Sequence, residues 1–268
     1  MSRYNNMFTA LDAKNQGAFV PFVMLGDPDK ATSLSIVQAL IDGGADALEL
    51  GFPYSDPIAD GPTIQAASIR ALNNKISPDD CLDIIATIRK DNPHIPIGLL
   101  LYSNLVLARG VEQFYADAHA AGVDSILIAD VPLREADRFV QQARASHIDQ
   151  ILIAPPNATE ESLQAIGKLS SGYTYLLGRA GVTGAETAAE TPASELIDKL
   201  MQYEVAPPLL GFGISTPDQV QNAIESGAAG AISGSATVNI IAKHLDDVDA
   251  MCGALREFVT AMKAATQK

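Results

Sequence analysis

The chain has 268 residues, 32 acidic against 18 basic side chains and a formal net charge of −14. Its mean hydropathy is +0.12, and 47% of its residues are hydrophobic. This composition excludes a disordered chain, and its charge excludes a nucleic-acid backbone as main partner, because such binding needs clustered Lys and Arg. An anionic ligand has to be held by backbone N–H groups rather than by a basic patch.

The N-terminal segment lacks the apolar core of a signal peptide, and no apolar run is long enough to span a bilayer. Cys81 and Cys252 lie far apart, each in a helical pattern. They read as thiols in a reducing compartment rather than as a disulfide framework. The expectation is a soluble cytoplasmic protein with no membrane or nucleic-acid partner.

Residues 3–14 form an amphipathic helical pattern, with Tyr4, Met7, Phe8 and Leu11 on one side. Such an extra helix plugs the N-terminal end of a barrel. Residues 18–25 read as the first strand, although Pro21 cannot donate to a ladder and predicts an irregularity. The chain then alternates. Helical patterns fall at about 29–43, 62–72 with 78–91, 110–121, 133–147, 159–169, 192–203, 216–226 and 238–265. Short apolar runs separate them at 47–50, 95–101, 125–129, 150–154, 173–177, 209–211 and 230–233. Eight strand–helix units imply a parallel sheet with right-handed crossovers. At this length they favour an α/β fold of the closed (β/α)₈ type, the TIM barrel, as one domain over 1–268. A weak repeat supports it: the segments at 43–51, 121–129 and 226–234 each run from a helix-ending glycine through a small linker into a strand. Asp46 and Asp124 precede their strands and belong to the stability face. Glu49, Asp130 and Gly234 come at or after strand ends, where barrel active sites sit.

The most informative stretch is 43–65. A carboxylate in the apolar run at 47–50 is costly to bury unless it is paired, hydrogen-bonded or protonated. Burial raises the pKa of Glu49 towards neutrality, where one group can give and take a proton. Equally open at this point is a Glu at the exposed strand end, bonded to the next loop. That loop is stiffened by Pro53, Pro57 and Pro62 and carries Asp56 and Asp60. It reads either as part of a site or as an ordinary turn with solvated acids.

Three glycine-rich segments follow the last three strands: Gly178 with 179–184, Gly211-Phe212-Gly213-Ile214-Ser215, and Ser233-Gly234-Ser235-Ala236. Glycine lets backbone N–H groups approach an anion, and a short helix after the eighth strand adds partial positive charge. A phosphate site is one reading, and tight strand–helix turns are the other. His94, His119, His147 and His244 show no metal-ligand spacing, so no metal is expected. No dinucleotide or Walker fingerprint occurs. No barrel strand carries a lysine for a Schiff base.

The stretch 48–65, LELGFPYSDPIADGPTIQ, closely resembles the signature of the tryptophan synthase α subunit family. Pro96-Ile97-Gly98-Leu99-Leu100, Asp130-Val131-Pro132, the 179–184 segment RAGVTG and 211–215 match in the same order, so the resemblance covers essentially the whole chain. It implies a TIM barrel that cleaves indole-3-glycerol phosphate to indole and glyceraldehyde 3-phosphate. It also implies a pyridoxal-phosphate β subunit as partner in an α2β2 complex, with no cofactor in this chain. By resemblance Glu49 is the acid–base carboxylate and Asp60 binds the indole N–H. Gly184, Phe212, Gly213, Gly234 and Ser235 match the phosphate loops, and Phe22, Leu100, Tyr175 and Thr183 match residues around the indole ring and catalytic loop. Asp56 and Pro57 match the loop that meets the β subunit. Gly178 departs from the pattern, where relatives usually carry Ser. Competing readings are another phosphate-binding barrel enzyme and a non-catalytic activator of a partner subunit.

Overall fold

A computed structural model describes residues 2–178, 193–203 and 205–268. The strands are β1 (Ala18–Met24), β2 (Leu48–Gly51), β3 (Ile97–Leu101), β4 (Ser125–Ile128), β5 (Asp149–Ile151), β6 (Ile153–Ala154), β7 (Thr174–Leu177), β8 (Pro208–Gly211) and β9 (Gly230–Ser233). All pair in parallel, in the order β5-β4-β3-β2-β1-β9-β8-β7-β6. The sheet's two ends, β5 and β6, are consecutive and separated by Leu152 alone. The barrel therefore closes through the chain itself, and the expected eighth-fold repeat is one in which the fifth strand is interrupted.

Pro21 lies within β1, where the ladder to β9 ends at Pro21↔Ser233 and the ladder to β2 begins at Phe22↔Glu49. The missing N–H falls at that handover, so the expected irregularity is a change of partner rather than a break in the strand.

The helices are α1 (Arg3–Asp12), α2 (Lys30–Asp42), α3 (Pro62–Asn73), α4 (Pro78–Asp91), α5 (Ser103–Arg109), α6 (Val111–Ala121), α7 (Asp137–Ala145), α8 (Glu160–Leu169), α9 (Ala193–Met201), α10 (Pro217–Glu225), α11 (Ser235–Lys243) and α12 (Val248–Ala264). Three stretches differ from the sequence pattern. Helix α5 is unanticipated; Gly110, at φ +88, ends it and starts α6. The single helix expected over 238–265 is two, because Asp247 caps α12 by accepting from Ala250 N–H. Residues 133–147 likewise open with a 3₁₀ turn, Leu133–Glu135, before α7.

Two apolar layers hold the barrel. The outer one lies between strands and helices and includes Val23, Leu48, Leu50, Leu99, Ile126 and Leu176. The inner one fills the barrel with Val20, Leu127, Ile151, Tyr173, Tyr175, Leu209 and Ile232, and α1 closes its floor with Tyr4 and Leu11, backed by Met7 and Phe8. The alternation of strand residues between the layers follows from the two-residue period of a strand. The floor is pinned by charge, as the positions of Asp46 and Asp124 implied. Asp124 accepts from Arg3 Nη1 (2.8 Å), Arg89 Nη2 (2.6 Å) and Ile97 N–H (2.8 Å). Asp46 accepts from Phe19 N–H and pairs with Lys263 Nζ, both at 2.8 Å. Among the described residues no helix is long and apolar enough to cross a membrane.

Candidate active site

The C-terminal ends of the strands carry the other chemistry. Glu49 sits on β2, opposite Phe22 of β1 and Gly98 of β3. It is 1% exposed, so of the two readings of this acid the buried one holds. Its Oε1 accepts from the hydroxyl of Tyr173 (2.9 Å), across the barrel just before β7. Its Oε2 has no hydrogen-bond partner among the described residues. Burial pushes the carboxyl up to about 7, and the Tyr173 hydroxyl only partly opposes that. A buried acceptor left open in this way is costly. It is also free for a hydroxyl or carbon acid brought into the barrel mouth.

Tyr173 is a site residue that sequence reasoning missed. Its ring packs on Tyr4, with centroids 5.4 Å apart, and Tyr4 Oη shares a 2.8 Å hydrogen bond with Ser125 Oγ. The aromatic floor of the barrel thus continues directly into the hydrogen bond on Glu49.

Asp60 closes the proline-rich loop just before α3. Pro62 is at the first position of that helix and Gly61 is its N-cap. The loop is turned by Ile58 N–H to Asp56 C=O and Asp60 N–H to Pro57 C=O, both 3.0 Å. Gln65 Nε2 donates back to the Asp60 carbonyl (2.7 Å). Burial pushes the Asp60 carboxyl up to about 6, against the lowering effect of the Tyr102 hydroxyl. Tyr175 faces both acids; burial, then the charges of Glu49 and Asp60, raise its pKa.

The structure brings together most of the remaining expected residues. Phe22 and Leu100 pack in one cluster with Met24, Ile64, Ala67 and Val238. Leu100, Tyr175 and Phe212 line the upper barrel interior. Tyr175 and Phe212 meet edge to face at 6.5 Å. Two glycines make this mouth possible. A Cβ on Gly51 would lie 2.7 Å from the Phe22 ring, and one on Gly211 2.2 Å from Tyr175 Oη.

The glycine turns after β8 and β9 face the same mouth. Phe212 and Gly213 both take positive φ, +67° and +77°. No atom of the described residues lies within 4 Å of where a Gly213 Cβ would be. Gly234, beside the Phe22 ring, is the N-cap of α11, and Ser235 is its first residue. Among the described residues no side-chain hydrogen bond caps that helix, which leaves its positive end to an anion. Ser233 Oγ donates to the Ile214 carbonyl (2.7 Å) and ties the two turns together. Thr183 and Gly184 lie outside the described residues.

Asp56 and Pro57 lie on the rim. Asp56 is exposed and accepts from Ser55 Oγ. Ile58 between them and Asp60 is 76% exposed, an apolar side chain on a surface loop that the sequence reading did not single out. Gly178 follows β7, and among the described residues a Cβ there would make only ordinary contacts, at 3.7 Å. Among the described residues no group of three or more His, Cys, Asp or Glu is placed to hold a metal.

A family model described as tryptophan synthase alpha chain matches residues 8–267. Tryptophan synthase alpha chains from Aliivibrio fischeri and Vibrio cholerae are 56% and 58% identical to this chain, over 268 and 267 residues and the full length of each protein. Among solved structures, Mycobacterium tuberculosis tryptophan synthase superposes with a TM-score of 0.89 at 29% identity, covering 100% of this chain and 99% of that one. The tryptophan synthase complex of Pyrococcus furiosus superposes with a TM-score of 0.81 at 34% identity, covering 92% and 98%.

Proposed function

The chain belongs to the tryptophan synthase alpha chain family, and we propose that Glu49 and Asp60 are the two carboxyl groups that carry its reaction. That reaction is the lyase half-reaction, cleavage of indole-3-glycerol phosphate to indole and glyceraldehyde 3-phosphate. The observation that carries the assignment is the Glu49 carboxyl: buried, raised to about 7, with one oxygen held by Tyr173 and the other open.

The cleavage is a retro-aldol step. Protonated Glu49 gives its proton to the indole ring carbon that bears the glycerol chain. The ring nitrogen becomes cationic, and ionised Asp60 stabilises that charge. The Glu49 carboxylate then takes the proton of the adjacent hydroxyl. The carbon–carbon bond breaks as that hydroxyl becomes the aldehyde of glyceraldehyde 3-phosphate, and the electron pair returns to the ring as indole. Glu49 ends protonated, as it began. The two transfers need opposite protonation states, which suits one group titrating near neutrality.

Phe22, Leu100 and Tyr175 supply an apolar wall for the indole ring. Phe212, Gly213, Gly234 and Ser235 offer backbone N–H groups and a helix end for the phosphate. In a chain of charge −14, an uncapped helix end is a suitable holder for an anion. We carry Thr183 and Gly184 as substrate-contacting residues from family resemblance alone. The reading requires no cofactor in this chain, since Glu49 performs both proton transfers.

The chain partners the tryptophan synthase β subunit, as in the Pyrococcus furiosus a2b2 complex. We assign the contact to the 53–60 loop through Asp56 and Pro57, with the exposed Ile58 as its apolar anchor. Both thiols are free, which accords with a cytoplasmic setting. The test is Glu49→Gln, assayed for indole release from indole-3-glycerol phosphate with the β subunit present. Binding of a non-cleavable analogue should persist while turnover falls by about 10³-fold or more. Near-normal turnover would remove Glu49 from the reaction.

A further inference from the structure

Asp130 follows β4, at the end of the barrel that carries Glu49 and Asp60, and the cleavage as written gives it no task. Its carboxylate is committed to α5: Ser103 N–H donates to Oδ1 (2.7 Å) and Ser103 Oγ donates to Oδ2 (2.8 Å). Ser103 is the first residue of that helix, and its N-cap, Tyr102, makes no side-chain capping bond among the described residues. A helix of 7 residues is too short to hold itself together, and its first N–H groups need an acceptor. Asp130 supplies that acceptor from the loop of another strand, with a carboxylate beside the positive end of the helix. The far end of α5 is held separately. Arg109 pairs with Asp79 of α4 and Asp117 of α6, and Val106 is buried.

The two residues that flank Ser103 both hold the 53–60 loop. Tyr102, 3% exposed, accepts from Ala59 N–H at Oη (3.0 Å). Asn104 Nδ2 donates to Tyr54 Oη (2.6 Å). The rings of Tyr54 and Tyr102 stack, with centroids 5.2 Å apart and 28° between planes. The loop is thus held near its start and at the residue before Asp60, and both holds come from one turn of α5. We propose that Asp130 is a positioning residue for the cleavage: by fixing the first turn of α5, it sets where the 53–60 loop, and with it Asp60, stands at the barrel mouth. The inference rests on reading Asp60 as the charged partner of the indole nitrogen. On its other side Asp60 is tied to α3, where Gln65 Nε2 donates to its carbonyl (2.7 Å), so Asp130 governs the approach from the loop side. The turns after β8 and β9 that offer N–H groups to the phosphate take no part in these bonds. Asp130 therefore acts on turnover rather than on substrate binding.

The test removes the Asp130 carboxyl. In Asp130→Ala the helix stays docked through Val106 and Arg109, and its first turn loses both bonds from Ser103. Backbone hydrogen exchange, resolved by NMR of the full chain, should show the Ala59 N–H exchanging about tenfold faster, as for the loss of a helix cap. The N–H groups of β8 and β9 should keep their rates. Lyase kinetics with the β subunit present should show kcat down about tenfold and KM changed less than about twofold. Tyr102→Phe keeps the ring stack, loses the Ala59 bond and should lower kcat by itself. Added to Asp130→Ala it should cost less than it does alone, because both act through one contact. If Asp130→Ala folds poorly, Ser103→Ala is the second variant. It removes only the Oγ bond and should speed Ala59 exchange and lower kcat by about threefold each. An unmoved Ala59 rate, an equal rise throughout β8 and β9, a loss expressed in KM alone or strictly additive losses overturns the proposal. Faster Ala59 exchange with unchanged kcat overturns it through its premise: the link from Asp130 to the loop stands, and the role given to Asp60 falls.

Discussion

Replacing Glu49 by Gln should change the stability of the protein in a way that depends on pH. The amide keeps the size of the side chain and an oxygen for the Tyr173 hydroxyl, and it removes the ionisable group. In the unfolded chain Glu49 titrates near its ordinary value of 4.5, and in the folded protein near 7. The sign follows from the raised folded value. Below about pH 4.5 the acid is protonated in both states, and Glu and Gln differ little. Between 4.5 and 7 the unfolded chain releases its proton while the folded protein keeps it, so the unfolded state gains stability with rising pH. Above about 7 both states are ionised and the difference is constant. At about 1.4 kcal/mol per pH unit the full interval amounts to about 3 kcal/mol. Urea unfolding of the two proteins between pH 4.5 and 8.5 measures it. Glu49→Gln should gain on the unmodified protein steadily up to about pH 7 and then hold its lead. A difference that stays flat across that range would refute the argument that burial raises this acid.

Asp60→Asn should lower lyase turnover by about 10²-fold, less than Glu49→Gln, because the amide oxygen still accepts the indole N–H but carries no charge; steady-state indole release checks it. Tyr173→Phe removes the donor that holds Glu49 down, so activity should persist to higher pH before declining, read from kcat/KM against pH. Gly213→Ala puts a side chain on a φ of +77° with no atom of the described residues within 4 Å of it. It should cost about 1–2 kcal/mol in urea unfolding and raise KM more than it lowers kcat. At Gly234 φ is −103°, and alanine there should be close to neutral in the same unfolding experiment.

The alternation of short apolar runs with helical patterns was enough to read the barrel, because buried parallel strands leave that mark on any sequence. Glu49 and Asp60 stood out as candidates because a carboxylate is costly to bury without a partner or a task, but the residues alone left an exposed reading of each open, and the roles proposed for them came from the family resemblance. The tyrosines that set their protonation were not legible. Tyr102 and Tyr173 look like ordinary core aromatics at strand ends, and only the folded geometry shows that the Tyr102 hydroxyl accepts from Ala59 N–H and that the Tyr173 hydroxyl donates to Glu49. Local breaks were hidden as well. Asp247 divides the last helical pattern by capping, and Leu152 interrupts the fifth strand without a Gly or Pro to announce it. The single-residue handover at Pro21 shows the opposite case. A residue that sequence rules count against a strand is accommodated because its missing donor falls between two ladders.

The dependence of lyase kcat/KM on pH, measured with the β subunit present, tests the division of labour between the two acids most directly. Ionised Asp60 and protonated Glu49 together require a bell, rising near pH 6 and declining near pH 7. A rate that climbs through pH 7 and stays level into the alkaline range would contradict a proton delivered by Glu49.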